Sequence, residues 1–160
     1  MILVDTSVWI EVFARPPRVS LDLADGFDDI VTCLPVVQEV LQGFSHEHTF
    51  RVARDSMLAL PMVEAPVSQD VYLEAVDLYR RARRAGLTIR SSADCLIAAC
   101  ALRHGLTVLH HDRDFDQIAK IAPLDAEAIT RGKGPQVTGS RQGTGRPAAS
   151  RTPRLSERTR

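Results

Sequence analysis

The chain has 160 residues, of which 44% are hydrophobic, so it is long enough for one domain with a substantial core. Its formal net charge is zero, yet residues 1–130 hold 12 basic and 19 acidic residues, whereas residues 131–160 hold 8 basic and 1 acidic residue. No apolar run approaches the ~20 residues of a membrane span, and no basic region precedes the short apolar N-terminus, so we expect no membrane partner and no secretory signal.

Strands and helices alternate along the first half of the chain. Apolar residues predict a buried strand over 2–4, followed by a helix over 6–13 that Asp5 or Thr6 caps. The β-branched stretch 29–33 predicts a second strand. The next predicted elements are a helix over 35–44 with Pro35 in its first turn, a helix over about 48–59 and a third strand within 60–66.

The second half continues this alternation. An amphipathic helix is predicted over 68–85, with Tyr72, Ala75, Val76 and Tyr79 on one face. The predicted elements after it are an apolar and therefore buried helix over 93–105 capped by Ser91 or Ser92, a strand over 106–111 and a helix over 112–121. The alternation predicts an α/β fold with a mostly parallel sheet.

The composition changes at Gly132. Residues 132–160 are rich in Gly, Pro, Ser, Thr and Arg and offer almost nothing to bury, so we predict a folded domain over 1–131 and a basic, disordered tail over 132–160. The tail's charge could add non-specific attraction to nucleic acid. A solubilising tail, or one with no selected role, is the alternative that the composition favours.

Carboxylates recur at the ends of predicted elements. Asp5 and Asp112 each follow an apolar strand and precede a helix. In open parallel sheets the carboxyl ends of the strands form the ligand crevice, so these two acids lie side by side if their strands are neighbours. Taken singly, each acid has a simpler interpretation as a helix cap or turn residue.

Two further acids lie in helices. Asp94 is in the first turn of the most apolar helix, where the helix dipole contributes ~0.3–1 kcal/mol, a small gain beside the cost of burying an unpaired carboxylate. Glu39 lies at the edge of an apolar stripe, where it is either a solvated residue or part of a site. No basic residue lies close in sequence to Asp5, Glu39 or Asp94. Because clustered carboxylates repel, a hard divalent cation such as Mg²⁺ or Mn²⁺ would stabilise them, commonly for phosphate-ester chemistry.

The segments VDTSVWIE, PVVQEV, SSADCLIAACALRHG and HHDRDF together resemble a PIN-domain nuclease. Their order, their spacing and the chain length resemble the VapC-type toxins of bacterial toxin–antitoxin pairs. The resemblance covers about residues 1–130 and implies a three-layer α/β/α domain. The metal-binding quartet that it implies consists of Asp5, Glu39, Asp94 and Asp112, with Asp114 as an auxiliary ligand and Ser7 as a residue that supports the site.

His110 departs from the family pattern, because many members carry Thr two positions before the fourth acid. An imidazole there could bind metal, but a strand-end residue that packs or forms hydrogen bonds is the interpretation that we favour.

The resemblance implies a Mg²⁺- or Mn²⁺-dependent endoribonuclease that acts as a toxin, forms a homodimer and is inhibited by a VapB-like antitoxin. An RNA-processing or DNA-acting nuclease that is not a toxin is one alternative, and a binding module with a structural metal is another. Three cysteines without a C-x-x-C spacing predict reduced thiols in a cytoplasmic protein.

A basic run lies near the end of the predicted helix over 68–85. It comprises Arg80, Arg81, Arg83 and Arg84, with Arg90 beyond the turn. Arg80, Arg81 and Arg84 are candidates for contact with RNA phosphates. Cations at a helix C-terminus also complement the helix dipole, and the sequence does not decide between the two roles.

Overall fold

A computed structural model describes residues 1–19, 21 and 29–129 of the chain. The strands are β1 (Ile2–Val4), β2 (Ile30–Cys33), β3 (Met62–Val63), β4 (Thr107–His110) and β5 (Ala126–Ala128). The helices are α1 (Thr6–Phe13), α2 (Leu34–Gln42), α3 (Glu47–Leu58), α4 (Gln69–Arg84), α5 (Ser92–His104) and α6 (Arg113–Ala119). The tail predicted over 132–160 lies outside the described residues.

The five strands form one parallel sheet in the order β3-β2-β1-β4-β5. From β1 the chain adds β2 and β3 on one side, and it then returns to add β4 and β5 on the other side. This confirms the predicted α/β class. The sheet changes direction between β1 and β4, and in such folds the crevice at the carboxyl ends of these two strands is the usual ligand site.

The sequence did not predict β5, whose residues Ala126–Ala128 have low intrinsic strand propensity. Its pairing with β4 makes it a strand: Val108 N donates to Asp125 O at 2.8 Å, and Ile129 N donates to His110 O at 2.8 Å. Backbone hydrogen bonds to the buried strand β4 therefore outweigh the low strand propensity of residues 126–128 at this edge of the sheet.

Helix α5 is buried almost all round, as its composition predicts. The side chains of Ile97, Ala98 and Ala101 are fully inaccessible to solvent. Ser91 caps the helix, and Gly105 ends it in the left-handed conformation with φ +60°. This packing fixes the N-terminus of α5, which carries Asp94.

Helix α4 differs from the prediction in the face that it buries. The side chains that pack into the core belong to Val71, Ala75, Leu78 and Ala82. Of the predicted face only Ala75 is buried, whereas Tyr72, Val76 and Tyr79 are exposed. Small and aliphatic side chains let α4 pack closely on α5, and the bulkier ones remain at the rim of a cavity of about 340 Å³ between the two helices.

Cys33, Cys95 and Cys100 are free thiols and are all buried. Among the described residues, none of the helices is both long enough and apolar enough to cross a lipid bilayer.

Candidate active site

Asp5 and Asp112 occupy the crevice where the sheet changes direction. Strands β1 and β4 pair in parallel, and the backbone N–H of Asp5 continues this ladder by donating to Leu109 O at 2.9 Å. Each acid also caps the helix that follows: Asp5 Oδ2 accepts from Ser7 N at 2.9 Å, and Asp112 Oδ1 accepts from Asp114 N at 3.0 Å. The cap and the acidic cluster are therefore two roles of the same side chains.

Ser7 links the loops that follow β1 and β4. Its Oγ donates to Asp5 Oδ2 at 2.5 Å and accepts from the backbone N–H of His111 at 2.9 Å. These two hydrogen bonds fix the orientation of the Asp5 carboxylate. Ser7 therefore lies where a residue that supports the site is expected.

Asp94 lies in the first turn of α5 but does not cap it, because Ser91 Oγ accepts the hydrogen bond from Ala93 N at 3.2 Å. Asp94 is only 7% exposed, and its Oδ2 accepts no hydrogen bond from any described residue. Burial raises the pKa of Asp94 to about 8, and the negative charges of Asp5 and Asp112 add to the shift.

Glu39 projects from α2 and is half-buried, with its Oε2 accepting from Thr6 Oγ1 at 3.0 Å. Burial raises the pKa of Glu39, although the Thr6 hydroxyl partly offsets this effect. Thr6 is predicted from the sequence only as an alternative cap of α1, whereas Asp5 caps that helix and the Thr6 hydroxyl contacts Glu39. The position of Thr6 next to Asp5, at the start of a helix, was the available signal.

The four acids of the predicted quartet face one cavity of about 370 Å³. The residues that line it are Asp5, Glu39, Asp94 and Asp112, together with Thr6, Ser7, Ile10, Gln42 and Ser91. Within the described part of the chain, Asp5 Oδ1 and Asp94 Oδ2 are buried without a hydrogen-bond partner. Unpaired carboxylate oxygens that converge on a polar cavity fit a hard divalent cation.

Asp114 lies beside this cavity rather than in its wall. Its carboxylate is fully buried and accepts from Arg90 N at 2.6 Å and from Arg90 Nε at 3.1 Å. One oxygen of Asp114 still lies within 4.8 Å of carboxylate oxygens of Asp94 and Asp112. Burial alone would raise the pKa of Asp114, but the hydrogen bonds from Arg90 outweigh it and lower that pKa.

His110 packs inward from the end of β4. The ring is 1% exposed and lies 5.2 Å from the ring of Phe115, and its Nε2 is 3.8 Å from Asp116 Oδ1. It does not line the acidic cavity. This position favours the packing role over metal binding.

Two arginines of α4, Arg81 and Arg84, contact other residues of the chain. Arg81 donates to the backbone carbonyl of Ile121 and lies 3.8 Å from Asp77, and Arg84 lies 3.8 Å from the other oxygen of Asp77. Arg80 is exposed to solvent. Arg81 is therefore part of the packing between α4 and the segment after α6, whereas Arg80 and Arg84 face the surface.

Comparison with known proteins agrees with this geometry. The PIN domain family model matches residues 2–121. Ribonuclease VapC11 of Mycobacterium tuberculosis H37Rv is 39% identical over 134 residues, which cover 81% of this chain and 99% of that protein. Ribonuclease VapC18 of the same organism is 33% identical over 130 residues, which cover 79% and 93% of the two chains.

Solved structures share the fold. The VapBC2 complex of Rickettsia felis, bound to a DNA fragment from its promoter, superposes with a TM-score of 0.64 at 20% identity and covers 81% of this chain and 100% of the matched chain. VapC20 of M. tuberculosis, a toxin that cleaves the sarcin–ricin loop, superposes with a TM-score of 0.59 at 18% identity and covers 78% and 99% of the two chains. The chain therefore belongs to the PIN-domain family and, within it, to the VapC ribonucleases.

Proposed function

We propose that this protein is the toxin of a toxin–antitoxin pair and that it hydrolyses RNA phosphodiester bonds with Mg²⁺ or Mn²⁺. The observation that carries the proposal is the cavity walled by Asp5, Glu39, Asp94 and Asp112, in which two carboxylate oxygens are buried without a partner among the described residues. A relative named as a ribonuclease is 39% identical across 99% of its own length.

The four carboxylates would have different roles, according to their positions in the cavity. Asp5, Asp94 and Asp112 would bind the ion, and Glu39, oriented by Thr6, would bind it directly or through water, or would orient the attacking water. A divalent cation held there supplies a water of lowered pKa and offsets the charge that develops on the scissile phosphate.

The reaction that follows is hydrolysis of one phosphodiester bond. The oxygen of a water molecule bonds to phosphorus in line with the bond that breaks, and the 3′-oxygen leaves and takes up a proton. The products carry a 5′-phosphate and a 3′-hydroxyl group. Ser7 would keep the Asp5 carboxylate in one orientation during this step, since it holds Oδ2 at 2.5 Å.

The proposed partners follow from the family. We propose that a VapB-like antitoxin covers the acidic cavity, because a structure that shares this fold is a toxin–antitoxin complex from Klebsiella pneumoniae. We also propose a homodimer located in the cytoplasm, where buried free thiols stay reduced. Residues 1–131 would form the nuclease domain, in agreement with a family match over residues 2–121, and residues 132–160 would form a basic extension.

Controlled expression in a bacterial host tests the toxin function. Induction of the wild type should arrest growth, induction of Asp112→Asn should not, and co-expression of a short reading frame from directly upstream should relieve the arrest. Normal growth with the wild type, together with RNA cleavage by the purified protein, would instead indicate an RNA-processing nuclease.

Replacing both Arg80 and Arg84 by Gln tests whether α4 contacts RNA. If α4 contacts RNA, KM should rise, and the negative slope of log affinity against log salt concentration should become shallower by about 1.4. Each phosphate contact on a single strand contributes about 0.7 to the magnitude of that slope. The value of kcat should stay unchanged, because neither side chain lines the acidic cavity. Steady-state cleavage at several salt concentrations measures both quantities.

Arg81→Gln is the matched control, because Arg81 is bound to Ile121 O and Asp77 and should mainly affect stability. An unchanged KM and an unchanged salt slope in the double variant would contradict a contact between α4 and RNA. The role of Arg80 and Arg84 would then be to interact with the helix dipole, which contributes ~0.3–1 kcal/mol per charge to stability.

A further inference from the structure

Arg90 contacts two of the acids at the edge of the cavity. It lies between α4 and α5, and its guanidinium donates to Asp112 Oδ1 through Nη2 and to Asp114 Oδ1 through Nε at 3.1 Å. The side chain of Arg90 is 49% exposed, whereas the Asp114 side chain is 1% exposed. A cation from the loop thus bridges a buried acid and an acid of the cavity wall.

The side chain of Arg90 is not needed to hold Asp114 in place. The backbone N–H groups of Arg90 and Ser91 donate to Asp114 Oδ2 at 2.6 Å and 3.4 Å, and any residue at position 90 other than proline would retain the first of these. What the backbone cannot replace is the positive charge that the guanidinium places beside Asp112 and Asp114. Of these two acids, Asp112 is one of the four that wall the cavity.

We propose that Arg90 is a positioning residue that serves as an internal counter-ion of Asp112. It holds the Asp112 carboxylate in the cavity wall before metal binds, and it competes with the metal for the negative charge of Asp112. This inference rests on the metal site of the proposed function. A guanidinium stays protonated at all ordinary pH values, so its charge is permanent. A permanent positive charge beside a ligand relieves the repulsion among the acids, and for the same reason it opposes the binding of a cation.

The competition is reciprocal. If the contact of Arg90 with Asp112 lowers the affinity for metal by some factor, bound metal weakens that contact by the same factor. Removal of the charge should therefore have opposite effects on the metal-free protein and on metal affinity. A residue that merely packs the loop would not produce this pair of effects.

Mn²⁺ titration by calorimetry tests the inference on full-length protein. Arg90→Gln should bind Mn²⁺ about tenfold more tightly than the wild type, within the usual range of coupling between two sites. Arg90→Met, which keeps the aliphatic part of the side chain, should show the same gain, whereas Arg90→Lys, which keeps the charge, should stay close to the wild type. Arg103→Gln is the matched control, because Arg103 pairs with Glu64 at 3.1 Å and does not line the cavity.

Thermal unfolding supplies the second readout. In EDTA, Arg90→Gln should lower Tm by several degrees, and saturating Mn²⁺ should remove most of that difference. An equal loss of Tm with and without Mn²⁺, together with unchanged or weaker Mn²⁺ binding, would overturn the inference and leave Arg90 as a structural contact.

The proposed function can fail separately. If the wild type binds Mn²⁺ and cleaves RNA but neither uncharged variant binds Mn²⁺ more tightly, only the role of Arg90 is wrong. If the wild type binds no Mn²⁺ at all, the metal site itself is wrong, and the inference is overturned with it.

Discussion

Replacing Asp94 by Asn is expected to reduce RNA cleavage by well over a hundredfold without unfolding the protein. Asp94 sits in the first turn of α5 with an oxygen that has no hydrogen-bond partner in the described chain. Asn keeps the size of the side chain but offers no charge to a cation. Loss of an outer partner of a metal ligand costs about 10–100-fold, so loss of a ligand should cost more.

Steady-state cleavage of a defined RNA with Mn²⁺ measures this loss, and Tm in EDTA reports on the fold. Asp116→Asn is the matched control, because Asp116 is an acid on α6 whose side chain is 54% exposed and does not line the cavity. It should retain wild-type activity. Wild-type cleavage by Asp94→Asn would remove this residue from the active site.

In the absence of metal, the free energy of unfolding should fall by about 2–4 kcal/mol as pH rises from 5 to 8. Burial and neighbouring acids raise the pKa of Asp94 from 3.8 in the unfolded chain to about 8 in the folded protein. Between these values the folded state binds one more proton than the unfolded state, so stability decreases with rising pH and levels off above pH 8. Burial also raises the pKa values of Asp5 and Glu39, which act in the same direction.

The lowered pKa of Asp114 has the opposite sign, but its stabilising contribution is complete above the unfolded value of 3.8 and so does not change between pH 5 and 8. Urea unfolding in EDTA at several pH values measures the effect. Asp94→Asn should be much less sensitive to pH, and it should exceed the wild type in stability at pH 8. Equal pH profiles for the two proteins, or a wild type that becomes more stable towards pH 8, would show that Asp94 does not carry this proton.

The parts of the site that the sequence predicted are those that local pattern encodes. An apolar strand that ends on an acid marks Asp5 and Asp112, and the parallel pairing of β1 with β4 places both at one end of the sheet. Asp94 stands out as an acid in the first turn of an otherwise apolar helix, because burial of an unpaired carboxylate is costly. All three lie at the cavity.

The parts that the sequence did not predict depend on contacts between distant residues. Thr6 reaches Glu39 across 33 positions, and Arg90 reaches Asp112 across 22 positions, and neither pair has a periodic pattern. For this reason the sequence pattern places Arg90 with the arginines of α4 rather than with the acids.

Helix α4 shows a related limit of local pattern. Its apolar residues allow two overlapping faces, and packing against α5 buries Val71 and Leu78 instead of Tyr72 and Tyr79. Periodicity identifies the helix, but it does not decide which of two similar stripes faces the core.

The most direct test of the metal-dependent mechanism is RNA cleavage by purified protein that has been stripped with EDTA and then resupplied with metal. We expect no cleavage in EDTA, recovery with Mg²⁺ or Mn²⁺, and product ends that carry a 5′-phosphate and a 3′-hydroxyl group. Undiminished cleavage in EDTA, or products that end in a 2′,3′-cyclic phosphate, would contradict a mechanism in which the four carboxylates hold a metal for hydrolysis by water.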